Sequence, residues 1–267
     1  MSSDASIFLD MRTTIALLAI LTIGATHPHL KAAHATSHGA SAHWSYSGAE
    51  GPTHWAQLNA DYKQCAKGSA QSPVNISTKA VYHGETPPLD FEYRPSPLTI
   101  VDNGHTVQVD YKPGSILQIG GDHYQLVQFH FHHPSEEEID GKRSEMVAHL
   151  VHKDSTGRLA VVAVLLKTGR ENPLMAQLWT HLPKSGDHDP ATGGPEINVS
   201  NLLPADHAYF NYSGSLTTPP CTEGVRWFVL KTPVEISKAQ LEVFAARYPN
   251  DARPLQKLNG RHVIASR

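Results

Sequence analysis

The chain has 267 residues, of which 40% are hydrophobic and 18% are charged, and its formal net charge is −3. This length and composition suit one sizeable globular domain, and the charge balance offers no basic surface for nucleic acid or another polyanion. The 19 glycines and 19 prolines favour many turns between short strands.

The N-terminus is typical of a secretory leader. Met11-Arg12 gives a short basic start, residues 15–23 are apolar, and Ala33-His34-Ala35 is a small-x-small cleavage signal. The alternative is an uncleaved membrane anchor, but the apolar run is far shorter than the roughly 20 residues that span a bilayer. We therefore predict a signal peptide over 1–35, then a flexible segment over 36–43, and a periplasmic or secreted protein without membrane insertion after cleavage. Met11 is an alternative start, because two aspartates in residues 1–10 fit a leader poorly.

Residues 44–75 show no sustained periodicity and predict irregular structure with short helical turns. From Leu98 onward the pattern is that of β-strands, and turn residues divide them into hairpins. The Asn103-Gly104 pair predicts a type I′ turn, which needs positive φ at both central residues. The predicted hairpins pair 98–101 with 106–111, 116–119 with 124–132, and 146–152 with 159–167. The last two of these segments are apolar almost throughout, which indicates central strands covered on both faces.

Two helices and one more strand follow in the C-terminal half. Asn172 can cap a helix over 173–181 with Pro173 at its first position, residues 226–231 predict a strand, and Ser237 with Gln240 forms a capping box. The predicted fold class is mainly β (α+β). It is a single domain with a large, twisted, mostly antiparallel central sheet and short peripheral helices.

The sequence contains only two cysteines, Cys65 and Cys221. In an exported protein an even number of cysteines suggests a disulfide. The alternative is a pair of inert buried thiols.

Two histidines in one predicted strand suggest a metal site. Side chains at i and i+2 of a strand share a face, so His130 and His132 point one way while Phe129 and Phe131 point the other. His149 on a neighbouring strand would complete a set of three imidazoles, which holds zinc with its fourth position open for water. Such a spacing also arises by chance among 18 histidines, so the argument depends on the surrounding motifs.

Further polar residues suit the chemistry of a zinc-activated hydroxide. Thr217 could donate its proton to Glu136 and accept a bond from the hydroxide, and His105 could relay protons to solvent because imidazole titrates near neutral pH. Gln128 could accept the free N–H of a ligand histidine. Each of these residues also has a simpler interpretation when taken alone. The acidic run 136–138 also fits a solvated turn, His105 also fits a surface residue that follows a turn, and Gln128 also fits an ordinary polar strand residue.

Four motifs together resemble those of the α-class carbonic anhydrases. They are Gln-Phe-His-Phe-His at 128–132, Ala-His-Leu-Val-His at 148–152, Asn-Gly-His at 103–105 and Ser-Leu-Thr-Thr-Pro-Pro at 215–220. The resemblance covers about 44–264, predicts a domain over 44–267, and is greatest to secreted bacterial members, which carry a matching cysteine pair. It implies a mainly antiparallel sheet of about ten strands with a conical cleft that holds one Zn²⁺ per chain.

The resemblance also implies the activity and the roles of residues. The activity is reversible hydration of CO2 to bicarbonate and a proton by zinc-bound hydroxide, with weak esterase activity on the side. His130, His132 and His149 are the implied ligands, Thr217 with Glu136 orients the hydroxide, and His105 is the proton shuttle. The implied CO2 wall comprises Val151, Val161, Leu216, Val225 and Trp227, and the implied water-ordering side comprises Tyr46, Asn103, Gln108 and Thr218.

One position departs from the family pattern. Many members have a glutamate two residues before the third ligand, where it accepts the ring N–H, and this chain has Val147 there. A water, a backbone carbonyl or a nearby side chain such as Glu145 could replace it, and loss of such a partner typically costs about 10–100-fold in metal affinity or activity.

Two other functions compete with the enzyme. A non-catalytic binding module on the same fold would be favoured by a missing ligand histidine, and all three are present. A zinc buffer would bind several ions per chain where the enzyme binds one. The sequence leaves the oligomeric state open, with a homodimer as one option.

Overall fold

The computed structural model describes residues 43–184 and 189–267, so the predicted leader and the flexible segment up to residue 42 lie outside the described residues. Strands dominate the described part. In chain order they are β1 Asn75–Ile76, β2 Tyr82–His83, β3 Leu89–Glu92, β4 Ser96–Asp102, β5 Val107–Asp110, β6 Ile116–Ile119, β7 Asp122–His132, β8 Glu138–Ile139, β9 Lys142–Arg143, β10 Met146–Lys153, β11 Leu159–Thr168, β12 Ala191–Ile197, β13 Tyr209–Ser215, β14 Glu223–Leu230, β15 Val234–Ile236 and β16 Ile264–Ala265.

The helices are short. Within the same ranges the α-helices are α1 Trp55–Leu58, α2 Gln64–Lys67, α3 Pro173–Trp179 and α4 Lys238–Ala245, and the 3-10 helices are Gly48–Glu50, Ala60–Tyr62 and Val199–Leu202. The helical turns predicted for 44–75 are therefore present. No helix in the described ranges is long and apolar enough to cross a membrane.

One large sheet organises the molecule. Its main path runs in the order β12-β4-β5-β7-β10-β11-β14-β13-β16-β2, with β3, β6 and β15 attached beside it. Most pairings are antiparallel, including β7 with β10 and β10 with β11, whereas β11 pairs with β14 in parallel. The predicted fold class, a mainly β domain with a large and mostly antiparallel sheet, is confirmed.

The central strands are covered on both faces, as their apolar composition predicts. Alternate residues of β11 enter two different apolar clusters, with Val162 and Val164 in the larger one and Val161 and Leu165 in the smaller one. The same alternation places Phe129 of β7 in the larger cluster. Full burial of such a side chain stabilises the fold by about 1.5–3 kcal/mol, so the larger cluster fixes the face on which the histidines of β7 lie.

The three predicted hairpins are present, but the turn after β4 is not the predicted type I′. The register pairs Asp102 with Val107, so four residues connect the strands, and only Gly104 has positive φ. The reason is the Asn103 side chain, whose Oδ1 accepts hydrogen bonds from the N–H groups of His105 and Thr106 at 3.0 Å each. An Asx-type bond of this kind stabilises a longer turn without left-handed backbone at Asn103.

The two predicted helix caps are also present. The Asn172 side chain accepts from the N–H groups of Leu174 and Met175, and Ser237 with Gln240 forms both bonds of a capping box. Helix α3 ends at Trp179, two residues before the predicted end.

Several observed strands are absent from the sequence-based prediction, and β12 and β13 are the longest of them. Strand β13 contains Asn211, Ser213 and Gly214, which are poor strand formers, and it exists because it pairs with β14 along its whole length. Tertiary pairing outweighs local propensity there.

Candidate metal centre

Three imidazoles meet where β7 and β10 pair. His149 is the cross-strand partner of His130, and His132 follows two residues later on the same face of β7. One ligand atom from each ring can be chosen so that all three atoms lie within 4.8 Å of one another. The strand alternation that predicts a shared face therefore brings the three rings together.

Each ring uses one nitrogen for a protein contact and leaves the other for a metal. His130 Nδ1 lies 2.8 Å from Gln128 Oε1, and His132 Nδ1 lies 2.8 Å from the backbone oxygen of Asp251. His132 Nε2 is buried and has no hydrogen-bond partner in the described structure. An orphaned buried nitrogen costs free energy, so a metal ion at this point would satisfy it.

His149 is oriented the other way round. Its Nε2 lies 3.2 Å from Glu137 Oε1 and 3.4 Å from Oε2, which leaves Nδ1 toward the other two rings. The His149 and Glu137 side chains are both buried. A carboxylate therefore lies beside Nε2 although position 147 is apolar. Glu145, the other carboxylate considered for this contact, accepts from the backbone N–H of Thr168 through Oε2 at 3.2 Å.

Burial and neighbouring charges shift the pKa values of two of these rings in different directions. Burial, together with His132 and His149, lowers the pKa of His130 well below its usual value, which favours the neutral imidazole that metals bind. Burial also lowers the pKa of His132, but the Glu136 and Asp251 carboxylates outweigh it and raise the pKa overall. The carboxylates therefore favour a positive charge at His132, whether from a proton or from a metal cation.

Glu136 sits beside the ligand atoms with one free oxygen. Its Oε1 accepts from the backbone N–H of Arg253 at 2.8 Å, while Oε2 lies 3.7 Å from His132 Nε2 and 3.9 Å from His149 Nδ1. Oε2 has no hydrogen-bond partner in the described part of the chain. The bond from Thr217 that the family resemblance implies is absent among these residues, although Thr217 is buried in the turn after β13.

The residues predicted to order water line one cavity together with two of the candidate ligands, His130 and His132. It has a volume of about 120 Å³ and is bordered by Trp44, Tyr46, Asn103, His105, Thr106, Gln108, Gln128, His130, His132 and Thr218. Pockets for drug-sized ligands usually span roughly 300–1,000 Å³, so this one suits a very small substrate and a few waters.

Two of these lining residues have surroundings that define their roles. Gln108 Nε2 donates to Asp110 Oδ1 at 2.7 Å. The Tyr46 hydroxyl is buried without a hydrogen-bond partner among the described residues, and burial with the nearby Glu136 raises its pKa well above the usual value. Tyr46 therefore stays protonated and keeps its hydroxyl donor at the wall of the cavity.

His105 lies at the rim of this cavity and stacks on Trp44. The two ring centroids are 3.7 Å apart and the planes differ by 7°. His105 is only partly buried, so its ring borders both the cavity and the outside.

The five residues predicted to hold CO2 share the smaller apolar cluster. Val161, Val225 and Trp227 are buried in it, and Val151 and Leu216 pack against it. The Trp227 ring lies 4.9 Å from the His149 ring. The apolar wall therefore begins directly beside one of the metal-binding imidazoles.

The two cysteines form a disulfide, as predicted from their number. The Cys65–Cys221 bond joins residues separated by 156 positions. Cys221 closes the turn that carries Thr217, where the Cys221 N–H donates to the Thr218 oxygen at 2.8 Å. The disulfide thus fixes this turn to helix α2.

Sequence reasoning missed three buried charged residues around the centre, namely Glu137, Asp251 and Arg253. Asp251 Oδ1 accepts from the His133 N–H at 2.7 Å, and burial raises the pKa of Asp251 to about 7. Arg253 donates to Gln71 Oε1 and to the Ser72 oxygen. The only signal in the sequence is the acidic run that contains Glu137.

A larger cavity of about 580 Å³ lies elsewhere, between residues 84–89 and 206–209. It borders none of the three imidazoles. The chemistry of the residues therefore identifies the smaller cavity as the functional site.

Comparison with known proteins gives a consistent result. The family model for eukaryotic-type carbonic anhydrase matches residues 50–267. The chain is 43% identical to a carbonic anhydrase of Nostoc sp. over 224 residues, 83% of this chain and 85% of that protein. It is 44% identical to one of Klebsiella pneumoniae over 227 residues, 84% and 91% of the two chains.

A solved structure has the same fold. The α-carbonic anhydrase of Thermovibrio ammonificans, in complex with the inhibitor sulfanilamide, superposes with a TM-score of 0.80 at 41% identity. The match covers 84% of this chain and all of that one.

Proposed function

The chain belongs to the α-carbonic anhydrase family, an enzyme family of lyases, and from that premise we propose that it is a zinc enzyme. Its reaction would be the reversible hydration of CO2 to bicarbonate and a proton. The observation that carries the proposal is the set of three imidazoles, His130, His132 and His149, which can each bring one nitrogen within 4.8 Å of the others. Two of the rings, His130 and His132, also border a small cavity.

The donor set fits zinc better than a hard cation. Three neutral nitrogen donors with no fourth side-chain ligand are typical of catalytic zinc, while Mg²⁺ and Ca²⁺ prefer oxygen. His130, His132 and His149 would hold the zinc, which would supply a hydroxide at neutral pH.

The chain's own residues then direct that oxygen. Glu136 Oε2 is buried and has no hydrogen-bond partner among the described residues, so it is available to accept from the Thr217 hydroxyl when the site is loaded. A threonine that donates to a carboxylate must use its oxygen lone pair to accept from the attacking hydroxide. Thr217 and Glu136 thereby fix the direction of attack.

The apolar wall would bind CO2, and the polar side would carry the released proton. CO2 carries no charge and fits against Val161, Val225 and Trp227. The valines have no polar side-chain atoms, and Trp227 Nε1 already donates to the Ser215 oxygen at 3.0 Å, so this wall would not hold the bicarbonate product by hydrogen bonds. Waters on the opposite side, near Gln108 and Thr218, would connect the centre to His105. His105 accepts the released proton and passes it to solvent.

The decisive experiment measures metal content and catalysis on the same purified protein. We expect one zinc per chain by elemental analysis, rapid CO2 hydration in stopped flow, and inhibition by sulfanilamide, the inhibitor bound to the Thermovibrio relative. Several zinc ions per chain without hydration would favour the zinc buffer, and zinc-free protein without hydration would favour a binding module. Slow hydrolysis of an activated ester is expected as a side activity.

We also propose that the enzyme is exported and acts in the periplasm or outside the cell. The support is the leader-like sequence at 1–35 together with the disulfide, since disulfides persist in oxidising compartments. N-terminal sequencing of the mature protein should begin near Thr36.

A further inference from the structure

The family resemblance implies an acceptor for the third ligand histidine at position 147, and this chain has valine there. Val147 is fully buried in the smaller apolar cluster. It lies two residues before His149 on β10, so the two side chains share a face. An isopropyl group on that face cannot accept the N–H of an imidazole.

A carboxylate from a different segment reaches the same nitrogen. Glu137 belongs to the connection between β7 and β8, and its two oxygens lie 3.2 and 3.4 Å from His149 Nε2. Both side chains are at most 1% exposed. The hydrogen bond is to Oε2, and Oε1 has no hydrogen-bond partner in the described ranges. The His149 imidazole is therefore the cationic or N–H-bearing group closest to this buried carboxylate.

The backbone of this connection is held in place independently of the metal centre. The Ser135 hydroxyl donates to the Glu137 oxygen at 2.8 Å and accepts from the Ser144 N–H at 2.9 Å. Arg143 Nη1 donates to the Ser135 oxygen at 2.7 Å. Glu137 is therefore presented to His149 by a rigid segment.

We propose that Glu137 is the positioning residue of the third metal ligand. In this chain the carboxylate that the family resemblance implies at position 147 on β10 is supplied instead by Glu137, from the connection between β7 and β8; we call this the relocation. By accepting the Nε2–H of His149, Glu137 holds the tautomer in which Nδ1 faces the metal. The buried carboxylate also adds negative charge next to the ligand, which increases its donor strength. This inference rests on the proposed metal centre. It adds which residue orients the third ligand of that centre.

The relocation explains why position 147 is apolar here. A second glutamate at 147 would place two buried carboxylates against a single N–H, and like charges in a site of low polarity repel. Valine at 147 removes that conflict and fills the space with apolar contacts.

The first test measures zinc affinity by chelator competition in the mature protein. Glu137→Gln keeps the shape but loses the charge, and we expect its zinc affinity to fall about 10–100-fold. The matched control is Glu138→Gln, in the same acidic run, whose carboxylate contacts Arg143; its affinity should equal that of the wild type. Equal affinities for Glu137→Gln and Glu138→Gln would overturn the proposal.

The second test asks for rescue, which a merely structural role would not give. Val147→Glu in the Glu137→Gln background restores a carboxylate on the same face as His149, and we expect most of the lost affinity to return. Val147→Glu alone should not tighten zinc binding, because the N–H is already accepted. Tighter binding in that single variant, or no recovery in the double variant, would contradict the relocation.

A third measurement needs no variant and so does not depend on folding of the mutants. In ¹⁵N-labelled zinc-loaded wild type, His149 should carry its proton on Nε2, with the resonance of a strongly hydrogen-bonded N–H. A proton on Nδ1 would overturn the proposal. If the wild type fails to hydrate CO2 while the affinity and rescue results are as expected, the proposed function is wrong and the positioning role of Glu137 is supported. If the wild type hydrates CO2 but Glu137→Gln binds zinc as tightly as the control, the proposed function is supported and the positioning role is wrong.

Discussion

Loss of the Cys65–Cys221 disulfide should lower the stability of the fold strongly. The bond joins residues 156 positions apart, and the chain-entropy model then assigns it about 5 kcal/mol at 25 °C. For a domain of this size each kcal/mol shifts the Tm by about 2–4 °C. The double variant Cys65→Ala/Cys221→Ala should therefore unfold about 10–20 °C lower than the wild type, with native-state strain reducing the difference.

The effect on catalysis should be much smaller than the effect on stability. Other bonds hold the turn next to Cys221, because the Leu216 N–H donates to the Thr222 oxygen at 2.9 Å and Gln71 Nε2 donates to the Cys221 oxygen at 3.0 Å. At temperatures where the variant remains folded, we expect kcat/KM close to that of the wild type.

The assay is urea unfolding followed by tryptophan fluorescence in metal-free protein, since bound zinc would add its own stabilisation. The m-value should rise in the variant, because the unfolded chain without the cross-link exposes more surface. A reductant should destabilise the wild type and leave the double variant unchanged. A loss below about 1 kcal/mol on removal of the bond would refute the loop-entropy reasoning.

Three further predictions concern the site and the core. Thr217→Val should lower kcat/KM roughly 100-fold, by analogy with the loss of one oriented hydrogen bond in other active sites, with zinc content unchanged; normal kcat/KM would exclude the orienting role. His105→Ala should slow turnover by about 100-fold in weakly buffered solution, the lower end of what positioned proton transfer contributes, and added imidazole should restore part of the rate; absence of rescue would remove His105 from the shuttle role. His152 is buried, which lowers its pKa to about 3, so between about pH 6.5 and 3 the unfolded chain binds a proton that the folded chain does not. Stability should fall through this window as the pH decreases, by up to about 1.4 kcal/mol per pH unit from this group, and a His152→Gln variant with the same slope would contradict the assignment.

The features that can be predicted from the sequence are those specified locally. The alternation of histidine and phenylalanine in β7 identifies two ligands and their common face, because the side-chain period of a strand does not depend on its neighbours. The turn at Gly120-Gly121, which connects β6 with β7, and the capping box of Ser237 and Gln240 can likewise be predicted from a few adjacent residues.

The features that cannot be predicted depend on segments far apart in the chain. The contact of Glu137 with His149 requires the path of the connection after β7, which no periodicity reveals. Asp251 reaches His132 across 119 positions, and β13 is a strand only because of its pairing with β14. The turn at Asn103 differs from its prediction for another reason, since a side-chain hydrogen bond selects a longer loop over the tight turn that Asn-Gly favours.

The alternation along β7 also limits how this protein can vary. The register between β7 and β10 shifts only between Val151 and His152, beyond the histidine at 149. On β7 this shift leaves Val127 as an extra residue between Leu126 and Gln128, upstream of His130, so β7 already accommodates one odd residue there. Insertion or deletion of a single residue between His130 and His132, in contrast, would turn one imidazole to the face of Phe129 and Phe131. The spacing that must stay unchanged is therefore that of residues 128–132, whereas a change of length further upstream can be taken up as a bulge.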